Sequence, residues 1–379
     1  MVTNQMNFRP VRRGRRSSTA PAPFSATLDR KPHRRSHVAH LTDRQLSEDV
    51  TDFSARDAEL EQAPPELADL PGLRRLDLSG NRLSDLPQSL SALRRLTELR
   101  LDRNAFRHLP RPVGELAGLE LLTLYKNELT TLPDWIENLR GLRHLNLGDN
   151  RLTRVPEGIG ALSRLHTLDL GHNALTELPE SIGRLAGLDR YLYASNNRFT
   201  SVPAALCDLT RLRYLNLTDN LLQSLPERFG DLAALQELRL YNNRLATLPD
   251  SIGRLSRLRE AHLAGNRLTA LPDTLAGLTE LRELRLTDNH LLGLPEQIGR
   301  LERLRILDLR NNRVRELPAA VGELTALTHL DLRNNALTRL PDSLARLPRL
   351  EKLDLRWNLI DPLPAWIADL EQRGCVVLL

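Results

Sequence analysis

Cysteine, lysine and long apolar segments are all scarce in this chain of 379 residues. With only Cys207 and Cys375 present, a disulfide-stapled fold is excluded and a reducing compartment is favoured. Lysine occurs at three positions, so nearly all of the positive charge is arginine. The chain has neither an apolar run long enough to span a membrane nor the apolar region of a signal peptide. We therefore predict no membrane span and a cytoplasmic location.

Acidic residues are nearly absent from the first 40 residues, which makes the N-terminus the basic part of the chain. Residues 1–40 hold nine Lys or Arg against Asp29 alone, a charge of +8, which leaves −3 for the remainder. The segment is rich in Arg, Ser and Pro without hydrophobic periodicity, so we predict a disordered basic tail. A surface that binds nucleic acid should be basic, so we predict no nucleic-acid binding by the repeats. For the tail two interpretations stay open: contact with nucleic acid or anionic lipid, or a segment that is merely solvated.

What the chain has in abundance is a repeat. An Asn recurs every 23 residues, with one interval of 24; the pattern LxxLxLxx precedes it and a Pro stands six residues after it. A period this regular predicts stacked repeats that bury their leucines against one another and present a long binding surface. The thirteen asparagines are Asn81, Asn104, Asn127, Asn150, Asn173, Asn197, Asn220, Asn243, Asn266, Asn289, Asn312, Asn335 and Asn358.

The pattern LxxLxLxxNxLxxLPxxIGxL resembles the leucine-rich repeat family, and its 23-residue length and LP step are most similar to the intracellular Ras-group type. The resemblance runs from about residue 59 to the C-terminus. It implies an α/β solenoid, curved, with a parallel β-sheet on the concave face and short helical turns on the convex face. It also implies a protein partner, with a small GTPase or a signalling complex as candidates.

The repeat domain is accordingly assigned to residues 59–379, with thirteen Asn-containing repeats and a short C-terminal strand. Residues 41–58 are predicted to form an N-terminal cap. Thr42 followed by Gln45 is typical of a helix start, and a degenerate repeat with Phe53 at a leucine position comes after it.

Each part of the repeat has its own chemistry. LxxLxL has the alternation of a β-strand whose leucines point inward. The Asn both donates and accepts hydrogen bonds, so we predict a ladder of asparagines that satisfies the backbone of its own turn and of the adjacent turn. The Pro fixes φ for the first turn of a short helix, and the acidic residue that often follows suits the helix dipole.

All five tyrosines fall at strand positions that alternate away from the leucines, on the predicted concave face. Tyrosine is frequent at protein interfaces, so the cluster predicts a partner-binding site. The simpler interpretation is that Tyr suits an exposed strand. The five are Tyr125, Tyr191, Tyr193, Tyr214 and Tyr241.

The single 24-residue interval falls in the same region. The segment from Leu188 to Asn197 holds one extra residue, and Ala194 replaces the third leucine, so the packing there is expected to be thin. We expect either a bulged strand, in which an extra residue after Tyr191 would shift that ring out of line, or an insertion tolerated at the edge of the repeat.

Acidic and basic residues two positions apart recur on the same face, and we expect them to neutralise one another as solvated pairs. Toward the C-terminus these pairs form rows of Asp and Arg, a second candidate surface for a charged peptide. The basic candidates are Arg239, Arg310, Arg333 and Arg356. Trp357 beside them is either an anchor for a partner or an aromatic packed on the last strand.

The sequence offers no catalytic arrangement. It contains neither a GxxxxGK[ST] phosphate loop nor a GxSxG turn, and its histidines lack the short spacing of metal ligands. We therefore predict that the protein is not an enzyme, with no catalytic residue, no metal and no cofactor.

The leading hypothesis is a non-enzymatic scaffold that binds a protein partner on the concave sheet through the tyrosines. Two alternatives stay open. One is an effector exported into host cells with the N-terminal segment as its signal. The other is an adaptor tethered to anionic membrane or nucleic acid by its Arg-rich tail.

Overall fold

The repeats form one parallel β-sheet. The structure, a computed structural model, describes residues 50–379, so the basic tail predicted over 1–40 and the helix predicted from Thr42 lie outside the described residues. Fifteen strands pair in chain order, which confirms the predicted sheet. They are β1 (Asp52–Ser54), β2 (Arg75–Asp77), β3 (Glu98–Arg100), β4 (Leu121–Thr123), β5 (His144–Asn146), β6 (Thr167–Asp169), β7 (Tyr191–Tyr193), β8 (Tyr214–Asn216), β9 (Glu237–Arg239), β10 (Glu260–His262), β11 (Glu283–Arg285), β12 (Ile306–Asp308), β13 (His329–Asp331), β14 (Lys352–Asp354) and β15 (Val376–Leu378).

A short 3₁₀ helix connects each strand from β1 to β13 with the next. The 3₁₀ helices are Pro65–Asp69, Gln88–Ala92, Arg111–Glu115, Asp134–Asn138, Glu157–Ala161, Glu180–Arg184, Ala204–Asp208, Phe229–Asp231, Asp250–Arg254, Asp273–Gly277, Glu296–Arg300, Ala319–Glu323 and Asp342–Arg346. One α-helix, α1 (Ile367–Gln372), lies between β14 and β15. Within residues 50–379, no helix has the length and apolar character needed to cross a membrane.

The repeated proline precedes the helical turn instead of lying within its first turn. Pro133, for example, has an extended backbone with φ −75° and ψ 153°, and its carbonyl accepts from Ile136 N–H at 3.1 Å. The predicted position was wrong by one residue, because a fixed φ is compatible with both the extended and the helical ψ. The acidic residue after the proline then begins the helix, where its charge is favourable.

The leucines of successive repeats form one continuous core. Leu165, Leu168 and Leu170 of a typical repeat are all 0% exposed. In the repeat of β7, the small Ala194 stands at one leucine position and the larger Phe199 at another, and both are fully buried. A loss and a gain of volume within one repeat keep the total close to that of its neighbours. The expected thinning of the core at Ala194 is therefore offset within the same repeat.

The asparagines form the predicted ladder. Asn220 Nδ2 donates to the carbonyls of Ala194 and Leu217, each at 3.0 Å, and its Oδ1 accepts from Phe199 N–H at 3.1 Å. One side chain thus bonds its own turn and the turn of the preceding repeat. The same three contacts recur along the stack, for example at Asn243. The ladder holds each strand at a fixed height relative to the next and so sets the alignment of the exposed residues.

Candidate partner-binding surface

The face of the sheet opposite the leucine core, here named the open face, carries three aligned columns of side chains. The first column holds the residue before the second leucine of each repeat, the second column the residue after that leucine, and the third column the residue after the third leucine. In β6 and just beyond it these are Thr167, Asp169 and Gly171. The parallel register places Thr167 beside Tyr191 and Asp169 beside Tyr193.

Tyr191, Tyr193 and Tyr214 form a tyrosine cluster in the first two columns of β7 and β8. The ring centres of Tyr191 and Tyr193 are 4.9 Å apart in an edge-to-face arrangement, and those of Tyr193 and Tyr214 are also 4.9 Å apart. All three side chains are half-buried, and burial raises the pKa of each hydroxyl. The guanidinium of Arg239 lies 5.6 Å from the ring centre of Tyr214. Because the rings hold one another, the cluster is a preformed aromatic surface.

Tyr125 and Tyr241 lie in the third column, at the two ends of a run of small residues. Tyr125 is 37% exposed, and Tyr241 lies 6.3 Å from the ring of His262. We name the run the small-residue trough; it consists of Gly148, Gly171, Ser195 and Thr218. At about 4.8 Å per strand the trough and its two ends extend over about 24 Å, the length of roughly seven residues of extended chain. The tyrosine cluster borders the trough on its first-column side.

The extra residue of the 24-residue interval is Asp189, which lies before β7. Arg190 N–H donates to the carbonyl of His166, the type of bond that the residue after the first leucine makes in a regular repeat. Tyr191 therefore keeps its place in the first column, and the shift expected of a bulged strand is not found. The carboxylate of Asp189 lies 2.9 Å from His166 Nδ1 and 3.4 Å from Arg211 Nη2. The insertion is accommodated at the edge of the repeat.

The Asp and Arg rows of β12–β14 form one ion-pair network. Arg310 Nη2 lies 2.7 Å from Asp308 Oδ2 on its own strand segment, and Arg333 Nε lies 3.1 Å from Asp354 Oδ2 on the next strand. The side chains of Asp308 and Asp354 are 7% and 0% exposed, so the expectation of solvated pairs was wrong for these two carboxylates. The stacked arginines cover them. Arg310, Arg333 and Arg356 therefore form ion pairs within the solenoid, and their contact with a partner stays a prediction.

Trp357 has a backbone conformation that large side chains avoid. The residue before each ladder Asn has a positive φ, and at the other twelve positions it is Gly, Asn, Asp, His, Lys or Arg. Trp357 has φ 60° and is 71% exposed, with the Arg356 guanidinium 5.8 Å from its ring. The alternative in which it packs on the last strand is therefore wrong. An exposed ring in a strained conformation is a candidate for binding, so its role as an anchor stays a prediction.

Replacing Trp357 with Asn is expected to raise the free energy of unfolding by about 1 kcal/mol, because Asn tolerates the left-handed conformation better. The new amide would also extend the chain in which Asn334 Nδ2 donates to Asn311 Oδ1 at 3.0 Å. Urea denaturation measures the change. Leu359→Asn is the control, since Leu359 is 68% exposed on an ordinary backbone, and it should change stability by less than about 0.5 kcal/mol. A Trp357→Asn variant less stable than the native chain would contradict the strain argument.

An unpredicted cluster on β9 and β10 consists of Glu237, Glu260 and His262. One ligand-type atom from each of the three lies within 4.8 Å of the others, and His262 Nε2 is also 3.7 Å from Glu283 Oε1. A search for short ligand spacing cannot find such a cluster, because neighbours across the sheet are 23 residues apart in the chain. Glu237 already accepts from Arg239 Nε at 2.5 Å. We therefore interpret the cluster as an ion-pair network and assign it no metal.

The two cysteines offer no nucleophile. Both are buried and unpaired. Burial raises the pKa of Cys207 to about 11 and also raises the pKa of Cys375. A thiol with a raised pKa is rarely ionised near neutral pH, and the thiolate is the reactive form.

An unbroken parallel sheet with one turn per repeat, an internal amide ladder and a polar open face define a solenoid repeat protein. The chain belongs to the leucine-rich repeat family. It matches the family described as a leucine-rich repeat region over residues 133–211, 203–289 and 274–372, and the leucine rich repeat family over 60–106 and 94–152. Proteins of this family generally mediate protein–protein interactions, and their fold is typically a non-enzymatic scaffold.

Several solved structures share the fold. A leucine-rich repeat protein of Leptospira interrogans is 35% identical with a TM-score of 0.78, over 85% of this chain and 82% of that one. The plant peptide hormone receptor RGFR1, in complex with RGF2, is 28% identical with a TM-score of 0.69, over 78% of this chain and 50% of the receptor chain. An internalin from Listeria monocytogenes, at 21% identity and a TM-score of 0.67 over 87% of both chains, shares the fold alone. Curated protein sequences gave no match.

Proposed function

We propose that this protein is a non-enzymatic scaffold that binds a protein partner on the open face, at the tyrosine cluster and the small-residue trough. The observation that carries the proposal is the contact of the Tyr193 ring with the rings of Tyr191 and Tyr214, on adjacent strands beside a run of small residues. A rigid aromatic group loses little entropy on binding, and tyrosine is enriched among residues that dominate interface energies.

The shape of the trough favours an extended polypeptide segment as the partner. Small residues between Tyr125 and Tyr241 leave room for a backbone, while the tyrosine cluster is placed to contact its side chains. The plant receptor RGFR1, similar in fold, is known in complex with RGF2, which supports a peptide-like ligand. A small GTPase or a signalling complex stays a prediction from the resemblance alone, as does the Ras-group subtype.

A cytoplasmic location is part of the proposal and is supported by the two unpaired, buried cysteines. The basic tail over 1–40, the cap over 41–58 and the repeat domain over 59–379 stay the proposed domain organisation. The exported effector and the tethered adaptor depend mainly on the N-terminal segment, which lies outside the described residues, and they stay alternative predictions.

The test is a triple variant, Tyr191→Thr, Tyr193→Asn and Tyr214→Thr, that borrows residue types already found in the same columns. Thr167 stands in the first column of β6, and Asn216 stands in the second column of β8. The backbone should therefore accept the changes. We expect recovery of protein partners by affinity capture to fall at least about 30-fold, because interface tyrosines often contribute more than 1 kcal/mol each. Quantitative mass spectrometry of the captured proteins measures the loss.

The matched control truncates three exposed side chains outside the three columns, in the substitutions Arg140→Ala, Arg164→Ala and Arg257→Ala. Partner recovery should be unchanged in this control. Thermal melting of both triple variants checks that the solenoid is intact. If the tyrosine variant melts like the native protein and captures the same partners in the same amounts, the proposed surface is wrong.

A further inference from the structure

Asp169, in the second column of β6, carries an open-face carboxylate with no arginine or lysine partner in the described part of the chain. Its Oδ1 accepts from Gly171 N–H at 2.9 Å, and the side chain is half-buried. Its neighbours in the same column are Asn146 on β5 and Tyr193 on β7, and both are uncharged. Among residues 50–379, no arginine or lysine lies within salt-bridge distance of it.

On β12–β14 the aspartate in the same column is neutralised internally. Asp308 also stands in the second column, and Arg310, two residues later in the third column, donates to both of its oxygens. The pairs Asp331 with Arg333 and Asp354 with Arg356 repeat this geometry. After Asp169, the third-column position holds Gly171. The guanidinium that completes this arrangement on β12–β14 is therefore missing at β6.

The two glycines of the trough place no side chain against the carboxylate of Asp169 from the third column. A Cβ atom at Gly148 would lie 3.1 Å from Asp169 Oδ1, and one at Gly171 would lie 3.2 Å from it. Neither glycine has a left-handed backbone, so the conformation does not require glycine at either position. In the other Asn-containing repeats the third column carries a side chain. At these two positions the absent side chains keep the space over Asp169 free.

Aromatic rings border the same space. Tyr193 is the cross-strand neighbour of Asp169, and Tyr125 stands next to Gly148 in the third column. Burial raises the pKa of Tyr125, Tyr191 and Tyr193, and the nearby charge of Asp169 contributes to each rise. A cation held over such rings gains a further attraction, and Arg239 over Tyr214 is an internal example on this sheet.

We propose that the half-buried carboxylate of Asp169, beside Gly148 and Gly171 and bordered by Tyr125 and Tyr193, receives the guanidinium of an arginine side chain from a bound partner. The incoming group takes the place that Arg310 occupies beside Asp308, with two parallel hydrogen bonds to the carboxylate. This inference rests on the proposed function, since it names one side chain that the partner segment presents to the trough. It predicts that ligands contain an arginine near their centre.

The test uses the full chain and a defined probe, Nα-acetyl-arginine methylamide, with the citrulline analogue as an uncharged control of nearly the same shape. The probe is titrated to roughly 50 mM, since a ligand of this size is expected to bind in the millimolar range. Transverse-relaxation-optimised NMR follows the amide signals of Gly148 and Gly171. We expect both signals to shift with the arginine probe and to shift at least fivefold less with the citrulline analogue.

Two variants make the result specific. Asp169→Asn keeps an acceptor for Gly171 N–H but removes the negative charge. Gly171→Arg places an arginine in the third column beside Asp169, as in the repeats of β12–β14. Each should weaken probe binding at least tenfold, as followed at the Gly148 amide, which both variants keep. Equal shifts with arginine and citrulline, no shift in the native chain, or unchanged binding in both variants would overturn the inference.

Failure of this inference is distinguishable from failure of the proposed function. If the probe does not bind while partner capture still depends on the tyrosine cluster, the arginine site is wrong and the proposed scaffold surface is kept. If Asp169→Asn abolishes probe binding while partner capture is unchanged in the tyrosine variant, the arginine site is supported and the tyrosine surface is rejected.

Discussion

Replacing Asn220 with Ala is expected to lower the free energy of unfolding by about 2–4 kcal/mol. Asn220 is 5% exposed and bonds the carbonyls of Ala194 and Leu217 and the N–H of Phe199. Alanine cannot replace any of these bonds. Because the turn is buried, the backbone groups that lose their Asn220 partner cannot all form hydrogen bonds with water. An unpaired buried group costs about 1–3 kcal/mol.

Urea denaturation followed by circular dichroism measures the loss, and Asn138→Ala is the matched control. Asn138 is exposed at the end of a 3₁₀ helix, outside the ladder. The same chemical change there should alter stability by less than about 0.5 kcal/mol. Equal effects at Asn220 and Asn138 would mean that the ladder does not stabilise the solenoid. Because each repeat contacts only its neighbours, the loss should fall mainly on the repeats that flank β8.

The fold was predictable because each structural position occurs thirteen times in the sequence. One Leu or Asn says little, whereas an aligned column of them identifies the inward face and the ladder. The proline shows the limit of this reasoning. Its ring fixes φ, but the sequence alone does not choose between an extended and a helical ψ, and the structure has the extended one at Pro133.

The candidate surface was predictable only as columns. Alternation along a strand places the tyrosines on one face, and the register then brings Tyr191 beside Tyr214. Burial of Asp308 and Asp354 was not predictable, because it depends on how the arginines of neighbouring strands lie over them. The position of the extra residue was also not predictable, because Asp189 is identified by the backbone hydrogen bonds around it and not by the kind of side chain it carries.

The missing arginine partner of Asp169 is visible in the sequence when the second-column aspartates are compared. Each C-terminal Asp of the second column is followed two residues later by Arg, whereas Asp169 is followed by Gly171. The signal is the absence of an arginine two residues after Asp169, and an absence does not form a motif. The same missing arginine also affects the stability of the protein.

Asp169→Asn is expected to stabilise the protein at neutral pH, by about 1–2 kcal/mol. Burial raises the pKa of Asp169 to about 6, against the bonding of Gly171 N–H and the charge of His172, which both lower it. A carboxyl whose pKa lies at about 6 instead of about 4 ionises at a cost of at most about 3 kcal/mol, and partial exposure reduces this figure. Asparagine keeps an oxygen for Gly171 N–H and carries no charge.

The pH dependence has a definite sign. Above pH 6 the carboxyl is ionised in both the folded and the unfolded chain, so the native protein bears the full penalty. As the pH falls from about 6 toward about 4, the folded protein binds a proton before the unfolded chain does, and the native protein gains stability relative to the variant. The difference should therefore be largest above pH 7 and should close near pH 4. Urea denaturation of both proteins across this range measures it.

The matched control is Asp308→Asn, which changes the same column in a carboxylate that is already paired. Asp308 accepts two bonds from Arg310 and its side chain is 7% exposed, so removing its charge should destabilise the protein by about 1–3 kcal/mol. Opposite signs at two equivalent positions would tie the effect to the missing arginine.

The other titratable groups near Asp169 also have to be separated from it. The hydroxyls of Tyr125, Tyr191 and Tyr193 have raised pKa values and do not ionise in this pH range. Repeating the series in a His172→Asn background removes the other titratable side chain that acts on Asp169, and Asn fits the backbone there because φ is 53°. An Asp169→Asn variant that is less stable than the native protein at every pH would contradict the argument. A stabilised variant would show that the native chain retains a costly carboxylate on its open face, as expected where selection acts on binding in addition to folding.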